Sequence, residues 1–230
     1  MQLRRNTHPL FDSRLNGTHA RLWNIFHTLL ESFGRRNWWP GETSLEIAIG
    51  AILTQNTSWR NVEKAIESIK VHDALRVDKL YAMDNEVLAQ IIRSSGCYNI
   101  KANRLKALVN VIHNEYDDNM FELNSIDMWR MREILLGIAG IGKETADSIL
   151  LYALEKPVFV VDAYTKRFLI NHGIYNGDNH YDAFQRFFME NLPHDVYLFN
   201  EFHALIVYLC QSYCKKTPLC AGCPLKGDLK

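Results

Sequence analysis

The sequence lacks an excess of charge, a long apolar run and any clear strand pattern, and each absence narrows the class of protein. Its 26 Lys and Arg residues balance 26 Asp and Glu residues, so any nucleic-acid binding would depend on local basic patches and backbone amides. No run approaches about 18 apolar residues, which predicts no membrane span. Residues 1–17 are polar and contain no apolar segment typical of a secretory signal, so we expect a cytoplasmic location.

Alternation of apolar and polar residues is absent, and no repeat of about 20–50 residues is visible. Apolar residues recur instead at helical spacing, first over residues 18–33, where Gly34 ends the pattern. Leu45 to Leu53 is apolar on all sides, which is typical of a buried helix. Further helices are predicted over 86–94, 101–113, 128–136, 143–154, 182–191 and 197–213, and Thr57 is the predicted N-cap of one more. The predicted fold class is all-α, in one or two domains.

Three glycines interrupt the apolar stretch 136–146, namely Gly137, Gly140 and Gly142. A glycine turn that leads into a helix leaves backbone N–H groups free at the helix start, where the dipole favours an anion. This stretch is thus either a phosphate-binding hairpin or only a joint between two helices. The pattern alone leaves both interpretations open.

Polar and aromatic residues with a possible binding role lie elsewhere in the chain. Gln55 and Asn56 follow the buried helix and precede Trp59, an arrangement suited to a loop that reaches into a duplex. Trp38 and Trp39 are adjacent, so one can pack inward while the other is presented, or both can belong to the core. An aspartate at a helix start, such as Asp162, is most often an N-cap. Lys101, Arg104 and Lys106 make a basic helix face or a solvated surface.

Four of the five cysteines lie between Cys210 and Cys223. In a reducing compartment such clustering indicates metal binding more than disulfides. Cys220 and Cys223 form a Cys-x2-Cys pair, and Cys210 and Cys214 are four apart at a predicted helix end, so they face the same side. Thiolates of this kind bind zinc or an iron–sulfur cluster, or the cysteines are buried without a ligand.

Together these segments resemble the endonuclease III, or helix-hairpin-helix-GPD, superfamily of DNA glycosylases. The resemblance includes Gly140 to Ala146, Val160 to Arg167, Ile52 to Thr57, Gly96 to Ala102 and the cysteine-rich tail. It implies two helical domains, a barrel over residues 43–155 and a second domain made of residues 1–42 and 156–230. It also implies double-stranded DNA bound over the cleft between them, and a monomer.

The hairpin departs from the strand-cleaving members of that superfamily. Those members carry a lysine immediately before the Thr-Ala pair, and this chain has Glu144 there. A carboxylate cannot form an imine, and Lys143 is rotated by about 100° on a helix. We therefore predict a monofunctional glycosylase with little lyase activity. Glu144, with Trp38-Trp39 and the segment 54–59, is similar to the 3-methyladenine DNA glycosylase branch.

The tail departs as well. The family pattern is Cys-x6-Cys-x2-Cys-x5-Cys, and Cys214, Cys220 and Cys223 match its first three positions with one residue fewer in the first gap. The fourth position falls on Leu229, which cannot ligate, so Cys210 is the available replacement. The resemblance thus implies a [4Fe–4S] cluster on Cys210, Cys214, Cys220 and Cys223.

The resemblance also assigns roles at the active site. The damaged nucleotide is flipped out of the duplex, with Gln55 and Asn56 as candidates to fill the gap. Backbone amides around Gly140, Gly142 and Lys143 would hold a phosphate, with a monovalent cation at the hairpin. Trp39 and Trp59 would sandwich the base with Trp38 nearby. Asp162 is the expected catalytic carboxylate, and Glu144 would pair with the base or take a direct part.

Two other functions stay open. One is an endonuclease III-like glycosylase that acts on oxidised or mismatched pyrimidines. The other belongs to a different class, a DNA-binding protein that senses damage or redox state and excises no base. Asp162 at the catalytic position argues against the second.

Overall fold

The computed structural model describes residues 17–228, and every regular element in that range is helical. The predicted all-α class is therefore confirmed. The helices are α1 Gly17–Phe33, α2 Ser44–Leu53, α3 Trp59–Val71, α4 Val77–Ala82, α5 Asn85–Ile91, α6 Tyr98–Tyr116, α7 Glu122–Ser125, α8 Met128–Gly137, α9 Lys143–Ser148, α10 Ala163–Asn171, α11 Tyr181–Asn191 and α12 Val196–Ser212. Short 3-10 turns occupy Arg93–Ser95 and Cys220–Gly222, and a π segment, Ile149–Ala153, extends α9. Residues 1–16 and Leu229 lie outside the described residues.

Most predicted helices match observed ones to within a few residues, and three differences lie near the site or the cysteines. Helix α3 begins at Trp59 with Ser58 as N-cap, so the prediction of Thr57 in that role was wrong by one residue. The predicted helix 143–154 divides into α9 and the π segment. Helix α12 ends at Ser212, before Cys214, but the backbone N–H of Cys214 donates to the carbonyl of Leu209 at 3.0 Å. That bond turns the chain back toward the end of the helix.

The buried helix predicted over residues 45–53 lies at the centre of the fold. Its N-cap is Thr43, whose side chain accepts from the backbone N–H of Glu46. Helix α2 packs against α3, α6, α9 and the π segment, so it is surrounded on every side. This explains why its sequence has no polar face, since each fully buried Leu or Ile contributes about 1.5–3 kcal/mol.

The first and last described helices pack together. Helix α1 contacts α11 and α12, and α10 also packs on α12, which reaches the π segment. The guanidinium of Arg21 in α1 donates to both carboxylate oxygens of Asp228, at 2.8 and 2.9 Å. The division into residues 43–155 and the two chain ends stays a prediction. No helix within residues 17–228 has the length and hydropathy required to cross a membrane.

Candidate active site

The glycine hairpin connects α8 to α9. Gly140 has φ +86°, which an L side chain rarely adopts, and a Cβ there would lie 2.4 Å from Cγ of Arg104. The side chains of Ile138 and Ile141 are buried on either side of it. Gly142 is the N-cap of α9 and is exposed. The hairpin is therefore anchored by its isoleucines and presents its glycine backbone at the surface.

Gln55 is tied to this hairpin. Its Nε2 donates to Oγ1 of Thr145 at 2.8 Å and to the carbonyl of Gly140 at 3.4 Å. Its Oε1 accepts from the guanidinium of Arg104. Asn56, the next residue, is exposed and has φ +55°. The two residues predicted to enter DNA therefore differ in their surroundings. The side chain of Gln55 is bonded to the hairpin, whereas that of Asn56 is exposed to solvent.

The carboxylates of Glu144 and Asp162 lie near each other. Asp162 is the N-cap of α10, as predicted, and its Oδ1 accepts from the backbone N–H and Oγ1 of Thr165 at 2.7 and 2.9 Å. Glu144 stands in the first turn of α9 and keeps access to solvent. Partial burial, reinforced by the charge of Asp162 and opposed by Lys166, raises the pKa of Glu144 to about 7.

A buried pair of polar side chains lies behind Asp162, and no local sequence pattern predicts it. The hydroxyl of Tyr152, in the π segment, lies 2.7 Å from Nδ1 of His203 in α12. The Nε2 of His203 lies 3.7 Å from Oδ2 of Asp162. Both residues stand in apolar runs, where a single histidine or tyrosine is usually core. Only the packing of α12 on the π segment brings them to Asp162.

The three tryptophans predicted for the base pocket do form one cluster. The ring centroids of Trp39 and Trp59 lie 5.1 Å apart with planes at 85°, and those of Trp38 and Trp59 lie 6.0 Å apart. Tyr152 joins them, with its ring centroid 5.0 Å from that of Trp39. Because Trp39 and Trp59 touch edge to face, they leave no slot for a base in this conformation. The predicted sandwich would require the two rings to separate.

Two buried donors belong to this cluster. The Nε1 atoms of Trp38 and Trp39 are both buried. That of Trp39 has no hydrogen-bond partner among the described residues, whereas that of Trp38 interacts with the hydroxyl of Tyr152. Trp39 lies directly against α2, where a Cβ on Gly50 would be 3.1 Å from its Nε1. Buried donors without acceptors are costly, by about 1–3 kcal/mol each, and such groups often serve a ligand.

Lys143, which we predicted to contact DNA, is paired with Asp182 of α11. Asp182 also lies 3.7 Å from Arg132, whose guanidinium donates to the buried Asp147 at 2.6 Å. The positive charge of Lys143 is therefore already balanced within the protein. This leaves the backbone amides of the hairpin as its main means of holding an anion.

The four cysteines predicted to bind a metal cluster lie at the end of α12 and in the segment that follows it. Cys210, Cys214 and Cys223 are buried and Cys220 is exposed. Hydrogen bonding from Cys210 lowers the pKa of the Cys214 thiol, and Nδ2 of Asn171 donates to its Sγ at 3.3 Å. Thiolate donors are thus available, but within residues 17–228 no three His, Cys, Asp or Glu side chains converge as metal ligands would. The described side chains alone therefore identify no metal site, and the cluster stays a proposal.

The exposed glycine turn between α8 and α9, followed by an aspartate that caps α10, is the arrangement of a helix-hairpin-helix protein. A family model described as "HhH-GPD superfamily base excision DNA repair protein" matches residues 49–194. The chain belongs to this family and is a base excision repair DNA glycosylase.

Relatives with names support this placement. The chain is 47% identical over 207 residues to a Methanocaldococcus jannaschii protein named "Putative DNA repair glycosylase", covering 89% of this chain and 94% of the relative. It is 26% identical over 183 residues to endonuclease III of Sulfolobus acidocaldarius, covering 79% of each chain.

Solved structures show the same fold. The crystal structure of H. pylori 3-methyladenine DNA glycosylase bound to 1,N6-ethenoadenine superposes with a TM-score of 0.67 at 31% identity, covering 83% of this chain and 95% of that one. A non-covalent endonuclease III–DNA complex superposes with a TM-score of 0.77 at 20% identity, covering 92% and 95%. At that identity the second likeness concerns the fold alone.

Proposed function

We propose that this protein is a monofunctional DNA glycosylase that hydrolyses the N-glycosidic bond of flipped-out alkylated bases such as 3-methyladenine. The observation that carries the proposal is Glu144. It replaces an amine nucleophile with a carboxyl beside Asp162, next to a cluster of three tryptophans. A site with two carboxylates and no lysine at the hairpin position can hydrolyse a glycosidic bond but cannot form a Schiff base.

Asp162 is the proposed catalytic carboxylate. Its Oδ1 is occupied by the bonds that cap α10, whereas Oδ2 faces His203 and accepts no hydrogen bond in the described structure. The cap holds the side chain in one rotamer, so Oδ2 has a fixed direction. Departure of the base leaves a positive, oxocarbenium-like sugar, which a carboxylate stabilises while it orients the attacking water.

The tryptophan cluster suits a cationic base. 3-Methyladenine in DNA carries a positive charge, and an aromatic face attracts a cation by about 0.5–2 kcal/mol, with the larger value in a desolvated site. Such a base leaves readily because it departs as a neutral molecule. The enzyme therefore needs little acid catalysis at the base. The carboxylate that contacts the cluster directly, Glu63, accepts from Nε1 of Trp59 at 2.9 Å.

The indole N–H group of Trp39 adds a second means of recognition. Adenine presents ring-nitrogen acceptors at its edges, and the indole N–H of Trp39 lacks an acceptor within the described residues. A bound purine would satisfy a group that is otherwise buried at a cost. Pyrimidines also carry carbonyl acceptors, so it is the aromatic surface of the cluster, and not this donor, that favours a purine lesion over a non-aromatic, ring-saturated pyrimidine.

DNA is the proposed macromolecular partner, and the solved structures with the same fold include an endonuclease III–DNA complex. We propose that the backbone of Gly140, Gly142 and Lys143 holds a phosphate, with or without a monovalent cation at the same turn. Asn56 is the better candidate to fill the gap, since Gln55 already supports the hairpin. The protein would act as a monomer.

A [4Fe–4S] cluster on Cys210, Cys214, Cys220 and Cys223 stays a separate proposal. It is supported by the donor chemistry, four cysteines within 14 residues, and opposed by their lack of convergence. No step of the reaction depends on it. Iron and acid-labile sulfide in anaerobically purified protein would support the cluster, and one zinc per chain or no metal would refute it.

The proposed function is tested by base release from a panel of duplexes. The panel contains DNA treated with dimethyl sulfate, 1,N6-ethenoadenine, an oxidised pyrimidine and a T:G mismatch. We expect release of 3-methyladenine and no strand cleavage at neutral pH. Release from the pyrimidine duplexes alone would favour the endonuclease III-like alternative, and binding without release would favour a non-catalytic sensor.

The matched variant is Asp162→Asn. It keeps the α10 cap, because the asparagine carbonyl oxygen can still accept from Thr165. Base release should be abolished while affinity for duplex DNA is retained. Undiminished turnover by this variant would remove Asp162 from the mechanism.

A further inference from the structure

The pair formed by Tyr152 and His203 lies behind the proposed catalytic carboxylate, Asp162, and takes no direct part in the proposed reaction. Both side chains are almost fully buried, with relative exposures of 6% and 5%. The hydroxyl of Tyr152 lies 2.7 Å from Nδ1 of His203. The Nε2 of the same imidazole is buried without a hydrogen-bond partner in the described structure. A buried polar atom without a partner calls for a functional explanation.

The surroundings fix the protonation state of this imidazole. Burial lowers the pKa of His203 despite the nearby charge of Asp162, so the ring is neutral at pH 7. Burial also raises the pKa of Tyr152 well above its ordinary value, so the phenol keeps its proton. Tyr152 and Asp162 are the titratable groups of the described chain that face His203.

The two neighbours together select one tautomer. A neutral imidazole carries a proton on one nitrogen and a lone pair on the other. A lone pair on Nε2 would face the carboxylate oxygen of Asp162 and be repelled. The proton must therefore be on Nε2, which leaves Nδ1 to accept from the hydroxyl of Tyr152.

In this tautomer the Nε2–H of His203 is directed toward Oδ2 of Asp162, because Oδ1 already accepts the hydrogen bonds that cap α10. The two atoms are 3.7 Å apart, which is longer than a hydrogen bond. Contacts between catalytic groups are often long without substrate and shorten in the complex. The ring of Tyr152 also packs on Trp39, so a base that displaces Trp39 would press on the same pair.

We propose that His203 is a positioning residue, a neutral imidazole oriented by Tyr152 that donates its Nε2–H to Oδ2 of Asp162 and holds that carboxylate toward the sugar. The inference rests on the proposed function, because it takes Asp162 as the catalytic carboxylate. Its physical effect is orientation, and a misplacement of about 1 Å can reduce a rate by about 100-fold.

The kinetic test compares His203→Leu, His203→Gln and Tyr152→Phe in single-turnover release of 3-methyladenine. Leucine removes the donor, whereas glutamine keeps an N–H near the position of Nε2. We expect a loss of up to about 100-fold for leucine, recovery of most of the rate for glutamine, and an intermediate loss for Tyr152→Phe. Affinity for duplex DNA should be unchanged in all three. His113→Gln, whose partner is Asp118 at the end of α6, is the control for histidine loss elsewhere.

Equal losses for leucine and glutamine, or wild-type rates for both, would overturn the inference. A second measurement does not require turnover. Nitrogen-15 spectra of histidine-labelled protein should show His203 as the Nε2–H tautomer, with a signal that shifts in Asp162→Asn and becomes mixed in Tyr152→Phe. An Nδ1–H tautomer in the wild type would also overturn it. Failure of the wild type to release any base would refute the proposed function and leave this spectroscopic result to decide the inference.

Discussion

The charge of Asp162 acts on Glu144, where it adds to the effect of burial in raising the pKa of that carboxyl to about 7. The protein therefore carries, at one position of its hairpin, a carboxyl that is about half protonated at neutral pH. A positive base placed between the two groups would favour the ionised form. We expect the same pair to affect both the stability of the protein and its affinity for a cationic base, and each effect can be measured.

The first prediction concerns the pH dependence of stability. A carboxyl whose pKa rises on folding binds its proton more tightly in the folded state, so its contribution is fully present below about pH 4.5 and is lost as the pH rises through about 7. Glu144→Gln removes this dependence. In thermal unfolding, the stability of the variant relative to the wild type should therefore increase as the pH rises from about 4.5 to about 7. In an Asp162→Asn background the gain should shrink, and a gain that is constant with pH would contradict the prediction.

The second prediction concerns a change of reaction. Glu144→Lys places an amine at the position where the strand-cleaving members of the superfamily carry a lysine. An amine that attacks the sugar C1′ forms an imine as the base leaves. Borohydride should then trap a covalent protein–DNA adduct with alkylated duplex. The wild type should give none, since Lys143 is paired with Asp182.

The control for that experiment is the double variant Lys143→Ala with Glu144→Lys. It should still form the adduct, which would assign the nucleophile to position 144. Loss of the adduct on removing Lys143 would instead make Lys143 the attacking amine and contradict the prediction.

The sequence predicted what depends on neighbours along the chain. Helices α1 and α2 follow from apolar spacing, and the N-cap role of Asp162 follows from the residue type at a helix start. The hairpin turn is likewise predicted from three glycines that lie within six residues of one another. These signals repeat within a few residues, so a single sequence contains them.

The contacts that complete the site join distant parts of the chain. Tyr152 and His203 are 51 residues apart, and Gln55 and Gly140 are 85 apart. Nothing in local periodicity links such residues, and each one alone is best interpreted as core or surface. The sequence therefore predicts Gln55 as a residue that enters the duplex, whereas in the structure its side chain is bonded to the hairpin.

The third prediction concerns the hairpin turn. Gly140→Ala forces an L side chain to φ +86° and displaces the side chain of Arg104, at a cost of about 1–3 kcal/mol. Both stability and duplex affinity should fall, because the turn sets the direction of its amides. Gly137→Ala, in the same hairpin but with open space and no positive φ, is the control. Chemical denaturation and fluorescence anisotropy measure the two effects, and equal behaviour of the variants would refute the role of the turn.

The last prediction concerns the contact between α1 and the end of the described chain. Burial alone would raise the pKa of Asp228, but hydrogen bonds from Arg21 and His172 outweigh it and hold the pKa below its usual value. The Arg21 bond is bidentate, at 2.8 and 2.9 Å, with both side chains less than a quarter exposed. Charge-assisted bonds of this kind contribute about 1.5–3 kcal/mol.

A double-mutant cycle with Arg21→Gln and Asp228→Asn should therefore give a coupling energy of about 1–3 kcal/mol in urea denaturation. The sign with pH follows from the lowered pKa, so the coupling should be present above about pH 4 and be lost as the pH falls further. Arg76 and Asp78 form a bidentate pair that is largely exposed, with 65% and 42% of their side-chain surface accessible, and serve as the matched control. Their coupling should be smaller than that of the Arg21 pair, because solvent screens it, and equal coupling in the two cycles would show that burial does not strengthen the Arg21 pair.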